Sequence, residues 1–238
     1  MTDFWKDKRV IAYIALTHHT RFITPVMDRL AHAGARVSYV VGQAENSQLI
    51  TAIKGNLDHV HVYDYLDQED VTEIRQNYLQ MRDAFARSLT RHHALASQLV
   101  TVTDKTIQAT AAEYIGFRNL LAREKPDLCI ALHELNRWGK MFAFWAKKLN
   151  IPVITFQEGL YYGMDYAYTG HVQYSTLNLV WGETSRNKLK DFEAPESRII
   201  PVGNTHLADE LQRQKAKGIR EARRRFYKVS DAVAVLLV

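Results

Sequence analysis

The sequence holds a single cysteine, Cys129, so no internal disulfide can form, a usage that fits a reducing compartment. Cys129 sits inside an apolar run and reads as packing rather than as a nucleophile. Long hydrophobic runs are also missing: none approaches the roughly 18–20 residues of a membrane span. Val10–Leu16 follows basic residues in the manner of a secretion signal, but its seven residues are too few and no small-residue cleavage site follows. A cytoplasmic protein is expected. Glycine-rich phosphate loops are absent too. The first turn lacks G-x-G-x-x-G and no G-x-x-x-x-G-K-[ST] occurs, which removes dinucleotide and P-loop triphosphate binding. The pairs His18/His19 and His92/His93 are adjacent rather than spaced for one helix face, so neither a metal nor a bound cofactor is expected.

Net positive charge is confined to one place. Arg213–Lys228 carries eight basic residues against the single Glu221, more than the whole net charge of +5, so the remainder is slightly acidic. A local run argues against nucleic acid as partner. It reads as a solvated helix face or as a contact with anionic lipid headgroups at the inner face of a membrane.

What is present is an ordinary globular composition whose 238 residues can bury about 70–75 % of the unfolded surface. Val10–Leu16, Arg36–Gly42 and His59–Tyr65 read as three strands, with a helix over Arg21–Ala33 closed by Gly34. Two long helical segments follow, one through Val71, Ile74, Tyr78, Phe85 and Leu89, the other over Ala94–Arg123 across the β-branched run Val100–Thr103. This insertion suits a lid, an acceptor groove or a homo-oligomer contact. From Pro126 strands and helices alternate again: strands at Leu128–Leu132, Val153–Phe156, Leu177–Trp181 and Ile199–Val202, helices at Trp138–Leu149 and Glu183–Phe192. Asn204 caps a helix from about His206, and Ala232–Val238 reads as one more buried strand. The alternation predicts an α/β fold, a Rossmann-like parallel sheet flanked by helices with a helical insertion between strands three and four. Residues 1–210 then form the first domain, and 211–238 a linker helix plus the first strand of a second.

In such a sheet ligands bind at the carboxyl ends of the strands. The turn after strand one carries His18, His19 and Arg21. A histidine there suits a general base, and Arg21 suits substrate binding. Glu134 follows strand four and Glu158 follows strand five, so two carboxylates are expected at one cleft, where differing environments split them into acid and base. Tyr161 and Tyr162 suit stacking on a sugar or base, or packing. Gly203, Asn204 and Thr205 stand at a strand–helix junction suited to a phosphate.

At these residues the sequence resembles the non-hydrolysing UDP-N-acetylglucosamine 2-epimerases and the wider GT-B glycosyltransferases. PDLCIALHE is similar to the family's PDLVLVHGD, IPVITFQEGLYYG to its IPVGHVEAGLRTG, and GETSRNKL…SRIIPVGNTHLADEL to its ETSRQNL…SRIFITGNTVIDAL, together about a third of the chain. The resemblance implies that Glu158 matches an active-site glutamate and that Glu134 replaces an aspartate. The family's Gly-Thr-Arg-Pro-Glu turn is replaced by Leu16–Thr20, and its Pro-Glu-Glu-Ala-Asn-Arg stretch, with a further catalytic glutamate, has no counterpart. It further implies the acceptor half of a glycosyltransferase that takes a nucleotide-activated sugar and a glycan or lipid-linked acceptor in surface polysaccharide synthesis. An epimerase and a non-catalytic glycan- or partner-binding module are the alternatives.

Overall fold

A computed structural model describes residues 3–41, 58–89, 93–159, 172–191 and 194–204. Seven strands form one sheet: β1 Arg9–Ile14, β2 Arg36–Val41, β3 Asp58–His61, β4 Leu128–Ala131, β5 Val153–Phe156, β6 Leu177–Val180 and β7 Ile199–Pro201. Their order is β3-β2-β1-β4-β5-β6-β7, and every neighbouring pair is parallel. The helices are α1 Thr20–His32, α2 Asp70–Ser88, α3 His93–Glu124, α4 Arg137–Lys148 and α5 Glu183–Asp191. None of the helices described is long and apolar enough to cross a membrane.

Both faces of the sheet are covered, which explains why β1 is apolar at nearly every position rather than alternating. Val10, Ala12 and Ile14 enter one core with Phe22, Ile23 and Met27 of α1. Ile11 and Tyr13 enter the other, against Phe117, Leu120 and Leu121 of α3 and Phe142 of α4. Each large side chain fully buried in this way contributes about 1.5–3 kcal/mol.

The expected insertion between the third and fourth strands is the α2–α3 pair. At 32 residues, α3 is about 48 Å long and passes through Val100–Thr103 without a break. The Thr103 hydroxyl donates to the Leu99 carbonyl one turn back at 2.7 Å, satisfying its polar group inside the helix. No residue of α2 is buried. Polar contacts tie it to α3 instead: Arg118 meets Glu73 at 2.6 Å, and the Tyr78 hydroxyl donates to Asp104 at 2.6 Å.

The third strand departs from expectation. It was expected over His59–Tyr65 but ends at His61, and Val62–Tyr65 is a 3-10 turn. The Asp64 carboxylate accepts from the His61 N–H at 3.1 Å, and the Asn119 amide donates to the Tyr65 carbonyl at 3.0 Å. These contacts reward the turn over extension. The expected helix after Asn204, the basic run Arg213–Lys228 and the strand Ala232–Val238 fall outside the described residues.

Candidate functional site

Strand order steps outward in both directions from the β1–β4 pair, so the topological switch point lies between these two strands. In open α/β sheets the crevice above such a point is where ligands bind. Three histidines and one glutamate meet there.

Beyond β1 the chain makes a 3-10 turn, Thr17–His19, that runs directly into α1. The turn leaves the His18 side chain 42 % exposed and buries His19. Beyond β4, His133 precedes a tight turn capped by Asn136, whose side chain accepts from the Gly139 N–H at 2.7 Å at the start of α4. Beyond β5, Gln157 braces the chain before Glu158: its amide donates to the Gly159 carbonyl and its oxygen accepts from the Trp181 N–H, both at 2.8 Å.

Glu158 holds two imidazoles, one on each oxygen. His18 Nε2 meets Oε1, and His133 Nε2 meets Oε2 at 2.7 Å. The bond from His133, with that from His18, holds the Glu158 carboxyl well below the usual range, at about 2, against the opposing effect of burial. Glu158 is therefore an anion. The network also assigns tautomers. The Leu135 N–H donates to His133 Nδ1 at 3.2 Å, so neutral His133 carries its proton on Nε2 and donates it to Glu158. His18 donates to Glu158 through Nε2, which makes Nδ1 the basic nitrogen of its neutral ring.

His19 is 2 % exposed, and burial pushes its imidazole down to about 4, so it is neutral near pH 7. Its ring lies edge to face with His18 at 4.8 Å and with His133 at 5.8 Å between centroids.

Glu134 has different partners from its neighbour His133. It is fully buried and accepts from the backbone N–H groups of Tyr174 (2.8 Å) and Ser175, closing the turn ahead of β6. Burial raises its carboxyl above the usual range, while those N–H donors pull the other way. Arg21 is exposed on α1, its guanidinium 4.8 Å above the Phe22 ring. Gly203, at φ +83, and Asn204 line a small concavity with Gln157 and Trp181. Tyr161, Tyr162 and Thr205 fall outside the described residues. Sequence reasoning passed over His133. Its signal was the pair His133-Glu134 at a strand end, of which only the acidic member was chosen.

The site depends on a glycine. A Cβ on Gly139 would stand 1.9 Å from the His133 carbonyl oxygen. Gly139→Ala must therefore push apart the α4 start and the turn that carries His133. The expected loss is about 1–3 kcal/mol of stability, typical of overpacking, read as a lowered urea midpoint. An unchanged midpoint would show that this turn yields without cost.

No protein-family model matches the sequence, and no curated protein sequence does. Solved structures do. The UDP-GlcNAc 2-epimerase of Neisseria meningitidis bound to UDP-GlcNAc is similar at a TM-score of 0.55 and 14 % identity, covering 94 % of this chain and 55 % of that one. The UDP-N-acetylglucosamine 2-epimerase of Rickettsia bellii gives 0.56 and 13 %, covering 94 % and 52 %. The UDP-GlcNAc 2-epimerase of Methanocaldococcus jannaschii gives 0.56 and 15 %, covering 96 % and 54 %. This chain spans about half the length of the structures it matches. It thus has a Rossmann-like α/β fold that it shares with about half of each of these structures.

Proposed function

We propose that the chain is the acceptor-side domain of an enzyme that processes nucleotide-activated sugars in glycan or surface polysaccharide synthesis. The observation that carries this reading is the His18–Glu158–His133 array above the switch point, on a fold shared with half of a UDP-GlcNAc-bound structure. Glu158, held by His133, orients His18 and stabilises the imidazolium that forms when His18 Nδ1 takes a proton from the acceptor hydroxyl. An oriented base backed by a fixed carboxylate is the arrangement that makes a weak hydroxyl nucleophilic. Gly203 and Asn204 are assigned to the diphosphate of the sugar donor and Arg21 to the sugars, and the sequence pattern assigns Thr205 to the first role and Tyr161 and Tyr162 to the second. Glu134 accepts from the 174–175 backbone and holds that turn in shape. Residues 1–210 make the acceptor domain and 211–238 lead toward the donor side, with Arg213–Lys228 at an anionic membrane surface.

A second reading has its own support, since the three solved structures above are epimerases. One experiment separates the two. The full-length protein is incubated with a panel of nucleotide sugars in deuterated water, with and without glycan acceptors. Transfer that requires acceptor, with no deuterium at the sugar's C2, is expected. Deuterium at C2 without acceptor would establish the epimerase instead, and neither product from any donor would reject both.

A further inference from the structure

His19 is the member of the cluster that the mechanism above leaves without a task. Neither of its ring nitrogens finds a hydrogen-bond partner among the described residues, although the side chain is 2 % exposed. Buried polar groups are generally satisfied. Several other described side chains also leave one buried polar atom without a partner, but among them His19 is the one that leaves two. The position of a partner for it is marked by its neighbours. One ring nitrogen of His18, one of His19 and one oxygen of Glu158 all lie within 4.8 Å of one another.

We propose that His18, His19 and Glu158 bind a divalent transition-metal ion of the zinc class, with the fourth position open to water or substrate. Two imidazoles and a carboxylate are ligands that such ions accept, and three protein ligands leave one position open to exchange rather than a closed structural site. Metal–nitrogen bonds of about 2.0–2.1 Å place tetrahedral donors about 3.3 Å apart, so the longest edge closes by about 1.5 Å at most. The hydrogen-bonded His18–Glu158 pair meanwhile opens and gives up its shared proton to the ion's place. Exposed His18 and its partner Glu158 supply that movement, since His19 is held by burial. The His133 bond to the other Glu158 oxygen, 2.7 Å long, remains in place and orients the carboxylate as an outer-shell partner does. Consecutive histidines do not share a helix face, but the 3-10 turn Thr17–His19 folds their rings edge to face.

The site stands on side-chain geometry alone and holds whichever sugar reaction the protein performs. Its consequence for that reaction is competition. A metal on His18 ties up the imidazole that would otherwise accept the hydroxyl proton, so zinc lowers turnover and a chelator restores it.

The test uses the untagged, metal-free chain without any sugar, titrated with Co²⁺ and followed by the visible absorption of four-coordinate cobalt. One Co²⁺ per chain is expected, displaced by Zn²⁺. His18→Ala and His19→Ala should each weaken binding by at least about tenfold, as loss of even an outer-shell partner does. His32→Ala, on α1 and outside the cluster, should leave it unchanged. If His19→Ala unfolds by circular dichroism, exposed His18→Ala still decides. No stoichiometric uptake, or uptake equal in wild type and His18→Ala, overturns the site. Uptake that depends on His18 in a protein that turns over no nucleotide sugar keeps the site and removes the catalytic reading. Turnover that depends on His18 in a chain that takes up no Co²⁺ does the reverse.

Discussion

Glu158→Gln is expected to lower kcat/KM for nucleotide-sugar turnover by about 10²–10⁴-fold, the range that general-base catalysis supplies. Glutamine keeps the shape of the side chain but not its charge. Of its two terminal groups only the oxygen accepts, so it serves one of the two imidazoles that Glu158 now holds. The amide nitrogen must face the other ring's N–H, which turns that ring or forces its other tautomer. Whichever histidine is lost, the imidazolium formed during proton transfer faces a neutral group, and the transition state loses most while substrate affinity changes little. The fall should therefore appear in kcat rather than KM. His18→Ala should cost a similar factor, and the double variant no more than the worse single one, because the two residues act as a unit. Steady-state kinetics of the three variants in the full-length protein measures this. A loss below about tenfold in both single variants would take the pair out of the chemistry.

The elements most legible in the sequence were those whose local pattern and tertiary role agree. IPVITF is a short apolar run bounded by proline and by polar residues, and its strand falls at Val153–Phe156 as expected. The helix expected over Trp138–Leu149 is Arg137–Lys148, with Asn136 as its cap. His59–Tyr65 misled because Val60 and Val62 sit at strand spacing, while the end of the strand is set by partners far along the chain. Asn119 reaches the Tyr65 carbonyl from 54 residues away, and Gly116 lets α3 approach so closely that a Cβ there would stand 2.7 Å from the Val62 carbonyl oxygen. No local window contains such information.

The same division holds at the site. That His18, Glu134 and Glu158 follow strands one, four and five could be read from the strand pattern, because side chains beyond parallel strands share one edge. Which of two adjacent residues points into the crevice could not. His133 and Glu134 are neighbours in sequence, yet one reaches Glu158 and the other the 174–175 turn. A one-residue difference in where the strand ends exchanges their places. The backbone donors that occupy Glu134 lie 40 and 41 residues further on, and nothing in the local pattern announces them.

Glu113→Ala is expected to cost about 3–5 kcal/mol of folding stability, the range for removing one partner of a buried charge network. Glu113 is fully buried on α3, and three donors converge on it. The Trp138 indole N–H reaches Oε1 at 2.9 Å, the Tyr63 hydroxyl reaches the same oxygen at 3.2 Å, and Arg137 Nε reaches Oε2 at 3.3 Å. The first and last of these sit on the opening turn of α4, so one carboxylate fastens α3 both to the turn after β3 and to the helix that follows His133. Alanine removes the acceptor from all three at once. Arg137 recovers part of its loss, because its side chain is 30 % exposed and can turn to water. The indole and the phenol recover less, and each unpaired donor costs about 1–3 kcal/mol. Glu113→Gln keeps one acceptor oxygen for Trp138 and Tyr63 and should lose less than alanine does. Urea unfolding of the two variants reads both numbers, with the slope m unchanged if only the native state is affected. A Glu113→Ala loss under about 1 kcal/mol would mean that water replaces the carboxylate. The α4 start, and His133 with it, would then be held by the Asn136 cap and the tight fit of Gly139 instead.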